Sequence, residues 1–182
     1  MRKPRSARLL REEATKLLKA NRVKGAPVPV IDIATSMGAR IRYSPFEGEL
    51  AGMLVRDHDQ VVIGVNSLYH PNRQRFTVAH ECAHLALHEG EVHIDRSFSF
   101  NVRVNRRDAV SSMAADAKEI EANRFAAELL MPYNMVLADL KERPIDVENE
   151  EAIRELARKY QVSIQAMTHR ITNLLDELVN IP

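Results

Sequence analysis

Two histidines four residues apart, with a glutamate directly after the first, form the run His80-Glu81-Cys82-Ala83-His84. These are the residues of the chain best suited to chemistry. On an α-helix, a rise of ~1.5 Å per residue puts the two imidazoles about 6 Å apart along the axis and on one face. Both rings can then reach a single metal ion. Glu81 sits about a hundred degrees round from His80, near enough to such an ion to hold a water rather than to ligate. H-E-x-x-H on a helix is thus a zinc-hydrolase signature, in which His80 and His84 are metal ligands and Glu81 is a general base. The expected reaction is peptide-bond hydrolysis. Zinc polarises the scissile carbonyl and draws the pKa of its water toward neutrality, while Glu81 takes the proton and hands it to the leaving amine.

A catalytic zinc keeps three protein ligands and an open position. No H-x-x-G-x-x-H extension follows His84, so the third ligand must come from elsewhere. The helical stretch from Lys118 to Pro132 offers Glu119 and Glu121. Glu119 shares a face with Ala122, Asn123, Ala126 and Leu130, the small and apolar side expected to pack inward, whereas Glu121 points the other way. Glu119 is the expected third ligand. One turn on, Asn123 can accept the second N–H of a ligating histidine and fix its tautomer. The alternative makes Glu119 and Asn123 ordinary surface residues, but a carboxylate on the inward face that held no metal would be a costly arrangement. A further donor should steady the oxyanion. His93, Tyr133, His88 and Arg75 are candidates, and the sequence does not choose among them. His88 also has a simpler reading, as a cation near a helix C-terminus. Cys82 faces away from both histidines and reads as a small buried apolar residue, not a nucleophile.

The elements that must position these groups follow from periodicity. Pro4 to Arg22 has a helical period and ends at Gly25; Val30 to Met37 reads as a short helix stopped by Gly38. Ala39 to Tyr43 alternates as a strand. Leu50 to Arg56 and Gln60 to Val65 flank Asp57-His58-Asp59 as an antiparallel hairpin. The histidine helix begins near Pro71 to Arg75 and runs to about His88, apolar on several sides and so expected to be central. Glu89 to Ser112 has no clear period, though Val92-His93-Ile94 and Ser97 to Phe100 could form short strands. A helix from about Ala114 to Met131 follows, then helices over Tyr133–Glu142, Val147–Tyr160 and Ser163–Val179. The expected fold is α+β: a small antiparallel sheet of about three strands against a zincin-like helical core. A peptidase core over 1–132 precedes a helical, helix-turn-helix-like segment over 133–182.

At 182 residues, 45% hydrophobic and 28% charged, the composition is that of an ordinary globular chain rather than a disordered one. The single cysteine excludes an intrachain disulfide framework and fits a reducing compartment. No apolar run is long enough to span a membrane, and the basic start never becomes a signal core, so a cytoplasmic location and no membrane partner are expected. Residues 1–25 carry nine Lys and Arg against Glu12 and Glu13; without interleaved aromatics these read as a solvated helix face. Leu156 to Ile171 has a helix-turn-helix rhythm, with Ala157, Val162, Met167 and Ile171 inside and Gln165, Thr168, His169 and Thr172 outward. Glu148, Glu150, Glu151 and Glu155 nearby disfavour phosphate approach. Direct DNA binding is thus not the favoured use of this hairpin.

The run R-Q-R-F-T-V-A before H-E-C-A-H, with E-x-E-A-N-R-F-A-A-E-L-L-M-P downstream, resembles the ImmA/IrrE family of metallopeptidases over about Val30 to Pro132. Asn66 ahead of Pro71 also suits that family's lead into the active helix. The resemblance implies a gluzincin-like site with His80, His84 and Glu119 as ligands and Glu81 as base, holding zinc or, alternatively, manganese. Many gluzincins have Asp at the position of Asn123, so the support of the ligand is neutral here. The resemblance further implies a helix-turn-helix repressor as substrate, and derepression of mobile-element or stress-response genes. The competing expectation is a metal-containing transcriptional regulator that binds DNA or protein without proteolysis.

Overall fold

A computed structural model describes residues 4–57, 60–88, 92–95, 109–142 and 149–179, with side chains undescribed at 92–95 and 109–116. Helix α1 (Ala7–Ala20) opens on Ser6, whose hydroxyl accepts from Leu9 N, and buries Leu10, Ala14 and Leu18. The short α2 (Val30–Ser36) ends near Gly38, whose φ of +87° turns the chain into β1 (Ala39–Ser44). β2 (Gly52–Asp57) and β3 (Gln60–Asn66) form the expected antiparallel hairpin, with Leu54 opposite Ile63. His58 and Asp59 of its turn lie outside the described residues.

The α+β class and the small sheet agree with expectation, but the sheet is mixed. Its order is β1-β3-β2-β4, where β4 (Val92–Asp95) is a fourth strand on the far edge. β1 runs parallel to β3, and β4 antiparallel to β2. The alternation of apolar residues marks each strand without naming its neighbour. Here the long connection between β1 and β2 lets β3 insert between them. Asn66, buried at the end of β3, pins that connection. Its Nδ2 donates to Phe46 O (3.2 Å) and Leu50 O (2.8 Å), while its Oδ1 accepts from Phe46 N and Leu68 N.

Helix α3 (Pro71–Leu87) is central, as its apolar pattern predicts, and every residue from Thr77 to His84 is buried. It packs on α4 (Ala109–Leu130), which begins earlier than expected because Ala109 to Met113 carries no apolar period to mark it. Ser97 to Phe100 lies outside the described residues. The chain closes with α5 (Tyr133–Glu142), α6 (Glu150–Tyr160) and α7 (Ile164–Val179), near the expected bounds. Ala157, Val162, Met167 and Ile171 are buried as the hairpin rhythm requires, in one core with Phe125, Leu129 and Val136. Arg170 of α7 lies buried against Glu128 of α4 in a two-point pair (2.9 and 2.6 Å) and donates to Met131 O. No helix among the described residues is long and apolar enough to cross a membrane.

Candidate metal centre

Helix α3 starts cleanly because Pro71 has no N–H to leave unpaired at the first helical position, and His70 Nδ1 accepts from Asn72 N at 3.2 Å. Its far end is pinned by Arg56 of β2, whose Nη2 donates to His84 O (2.6 Å) and His88 O (2.9 Å). Between these ends His80 and His84 point the same way, with their Nε2 atoms 3.0 Å apart. Helix α4 brings Glu119 against them: Oε2 lies 3.3 Å from His80 Nε2 and Oε1 3.7 Å from His84 Nε2. Among the described residues, His80, His84 and Glu119 form the group of side chains placed to hold a metal ion. Glu119 is 33% exposed whereas both histidines are buried, so the cluster opens to solvent on the α4 side.

The hydrogen bonds behind the rings decide what faces the cluster. Asn123 Oδ1 is 2.9 Å from His80 Nδ1, and an amide oxygen only accepts, so that ring carries its proton on Nδ1. His84 Nδ1 is 3.0 Å from His88 Nδ1, and His88 Nε2 is 3.0 Å from Glu121 Oε2. The carboxylate accepts from His88 Nε2–H, His88 Nδ1 is then an acceptor, and His84 donates through its own Nδ1. Both Nε2 atoms therefore present lone pairs to each other and to a carboxylate. A cation between them turns that repulsion into attraction. Two imidazole nitrogens each ~2.05 Å from a tetrahedral zinc stand roughly 3.3 Å apart, so the observed spacing suits one ion.

Glu81 is fully buried beside this pair. The start of β2 lies flat against it: a Cβ on Gly52 would come to 3.3 Å of Glu81 Oε1 and 2.3 Å of Thr77 Cγ2. Only glycine permits that approach of strand to helix. Cys82 is buried on the opposite side, its thiol pushed up to about 12 by burial and by the Glu81 charge, which removes it as a nucleophile.

Three expectations are corrected by the contacts around the cluster. Helical phase alone sends Glu121 outward, yet it is 2% exposed because the segment ahead of α1 covers that side of α4. Arg5 N donates to Glu121 Oε1 at 2.8 Å, the Arg5 guanidinium pairs with Oε2, and Nη2 donates to Leu87 O at 3.0 Å. Burial pulls the Glu121 carboxyl upward, but the bonds from Arg5 and His88 outweigh it and hold the group below its ordinary range. His88 is no solvent cation at a helix end: burial pushes its pKa down against the pull of Glu121, so the ring is neutral at neutral pH. Nor is the basic first helix only a solvated face, since Arg11 reaches Glu128 (3.2 Å) and Glu177 (2.6 Å). Of the other candidate donors, Tyr133 carries the Arg11 guanidinium 4.0 Å above its ring, and Arg75 donates to Val28 O at 2.8 Å. The backbone of His93 pairs with Leu54 in the sheet, and its side chain lies outside the described ones.

A groove of about 1120 Å³ runs between α3 and α4 on one side and α6 and α7 on the other. Phe76, Ala127, Met131, Ala157 and Val162 line its floor, and it adjoins the cluster at Asn123.

The family described as Peptidase M78, IrrE N-terminal-like domain, matches residues 34–172. Among solved structures, a Mycobacterium tuberculosis transcriptional regulator is similar in fold, with a TM-score of 0.56 at 16% identity. That similarity covers 91% of this chain and 46% of the other, so the chain spans under half of the regulator's length. No curated protein sequence matches the chain.

Proposed function

Because the chain belongs to the Peptidase M78 family, by its IrrE N-terminal-like domain, we propose that it is a zinc-dependent endopeptidase whose substrate is a helix-turn-helix transcriptional repressor. The observation that carries the reading is the convergence of His80 Nε2, His84 Nε2 and the Glu119 carboxylate on one point, with Glu81 buried alongside. In this reading those three residues hold the metal and Glu81 is the catalytic base. Zinc, when bound, supplies Lewis acidity to the scissile carbonyl and to water. Glu81 takes the proton of the attacking water and delivers it to the amide nitrogen as the C–N bond breaks. Its burial next to His80, in the wall that faces the start of β2, supports this placement. Asn123 holds His80 in the ligating tautomer. The groove that adjoins Asn123, and through it His80, supports a peptide substrate that reaches the site along it.

A second reading has its own observation: Gln165, His169 and Thr172 are exposed on the second helix of a helix-turn-helix-like hairpin. A DNA-binding or protein-binding regulator without proteolysis would use them. Exposed Glu150, Glu151 and Glu155 on the preceding helix oppose a phosphate backbone there, and a metal site of that kind has no use for Glu81.

The test is to incubate the zinc-loaded chain with the helix-turn-helix repressor encoded beside it. One discrete cut, abolished by a chelator and by Glu81→Gln, is expected. Intact repressor, with a promoter-DNA shift that Glu81→Gln leaves unchanged, would favour the second reading.

A further inference from the structure

We propose that the segment ahead of α1 belongs to the scaffold of the metal centre: Arg5, acting through Glu121 and His88, positions His84 and sets how tightly the site holds its cation. The inference rests on the reading of His80, His84 and Glu119 as ligands.

The chain of contacts is continuous and one-directional. His84 Nδ1 donates to His88 Nδ1 at 3.0 Å, and His88 Nε2 donates to Glu121 Oε2 at 3.0 Å. Glu121 in turn accepts from Arg5 through both of its oxygens. The two links to Glu121 are specified by chemistry, since a carboxylate can only accept; a neutral His88 that donates through Nε2 then has only its Nδ1 lone pair to offer His84. Reading inward from Arg5, the tautomer of His88 and then that of His84 are both determined. His84 is left with its lone pair on Nε2, the atom that faces Glu119. A ring that loses its Nδ1 acceptor is free to place its proton on Nε2, where it blocks ligation, and to turn about its side-chain bonds.

Arg5 does more than neutralise a buried carboxylate. Its third contact, to Leu87 O at 3.0 Å, fastens the last turn of α3, the turn that carries His88. Arg56 grips the His84 and His88 carbonyls of that turn, so Arg5 and Arg56 together fix where the His88 ring stands. The two ligands thus have unlike partners behind them: His80 meets Asn123, which is exposed, and His84 meets a buried relay that ends on residue 5. A second anchor of the same helix provides the contrast. Arg11 also ties α1 to α4, but through Glu128, which pairs with Arg170, and to Glu177 of α7, outside the relay behind His84.

Zinc affinity of the full chain, measured by competition with a chromophoric chelator, separates positioning from simple tethering. Loss of a partner behind a ligating histidine typically weakens metal binding about 10- to 100-fold. That range is expected for His88→Ala, and its lower end, about 10-fold, for Arg5→Ala. His88→Gln, whose amide can accept from His84 and donate to Glu121, should recover most of the affinity. Arg11→Ala should lower the melting temperature yet leave zinc affinity within about twofold. Should Arg5→Ala fail to fold by circular dichroism, the ratio between His88→Ala and His88→Gln carries the test. Unchanged affinity in a folded Arg5→Ala overturns the inference, as does equal weakening by Arg11→Ala, or no difference between the two His88 variants. A wild-type chain that takes up no zinc overturns the ligand assignment itself, which distinguishes that failure from this one.

Discussion

Gly52 offers a sharp test of how β2 meets the histidine helix. A methyl group placed there by Gly52→Ala would lie 2.3 Å from Thr77 Cγ2, 3.1 Å from Gly64 O and 3.3 Å from Glu81 Oε1. Carbon atoms pack best at about 3.5–4.0 Å, so strand and helix must part by more than about 1 Å, or Thr77 must move. Thr77 is buried in the wall of α3 and has little room. Overpacking of this kind costs about 1–3 kcal/mol. At about 2–4 °C per kcal/mol for a domain of this size, the melting temperature should fall by roughly 2–12 °C. The effect on catalysis should be larger, since a misplacement of about 1 Å near the reacting groups can cost about 100-fold. Thermal unfolding followed by circular dichroism and cleavage of the repressor measure the two effects. Thr77→Ser deletes the offending Cγ2, so Gly52→Ala with Thr77→Ser should regain stability through a favourable coupling of about 0.5–3 kcal/mol. Strict additivity of the two substitutions, or a Gly52→Ala chain as stable and active as its parent, would refute the contact.

Further expectations follow from the same geometry. Glu81→Gln should keep zinc while cleavage falls by about 10²–10⁴-fold, read by metal analysis beside a cleavage assay. Asn123→Ala should weaken zinc binding about 10- to 100-fold through His80, in the same chelator competition. Arg170→Met leaves Glu128 buried with only part of its partner set and should destabilise the fold by about 3–5 kcal/mol, as denaturant unfolding would report. Cys82 should resist alkylation until the chain unfolds. Its thiol ionises near 9 when unfolded and at about 12 when folded. The folded chain then binds the extra proton between those values, so this group's contribution to stability declines as pH rises above about 9, and Cys82→Ala should remove that part of the slope.

Much of the site was legible in the chain because helical phase is local. His80 and His84 four residues apart, and Glu119 with Asn123 one turn on, occupy faces that spacing alone assigns, and the structure brings these side chains together. The central placement of α3 was legible for a similar reason, since apolar residues on several sides leave little face for water. Glu121 and His88 were misjudged because their surroundings come from far away. Arg5 lies 116 residues from Glu121 in sequence, and nothing in the period of α4 announces that a basic segment folds over its outer face. A trace was there: His88 repeats the spacing of His80 to His84, so a third imidazole had to stand directly behind the second. The parallel pairing of β1 with β3 was hidden for another reason. Alternation in Ile41 and Tyr43 reports which face of a strand is apolar and is silent on which strand lies beside it. Asn66, buried and bonded through both amide atoms to the connection it organises, carried that information only once folded.

The most direct test of the central claim is a crystal of the chain grown with zinc, with diffraction recorded on both sides of the zinc absorption edge. One strong anomalous peak is expected about 2.0–2.2 Å from His80 Nε2, His84 Nε2 and an oxygen of Glu119, with the Glu81 carboxylate beside it. A zinc-saturated crystal with no peak between those three side chains, or with its peak on other residues, would contradict it.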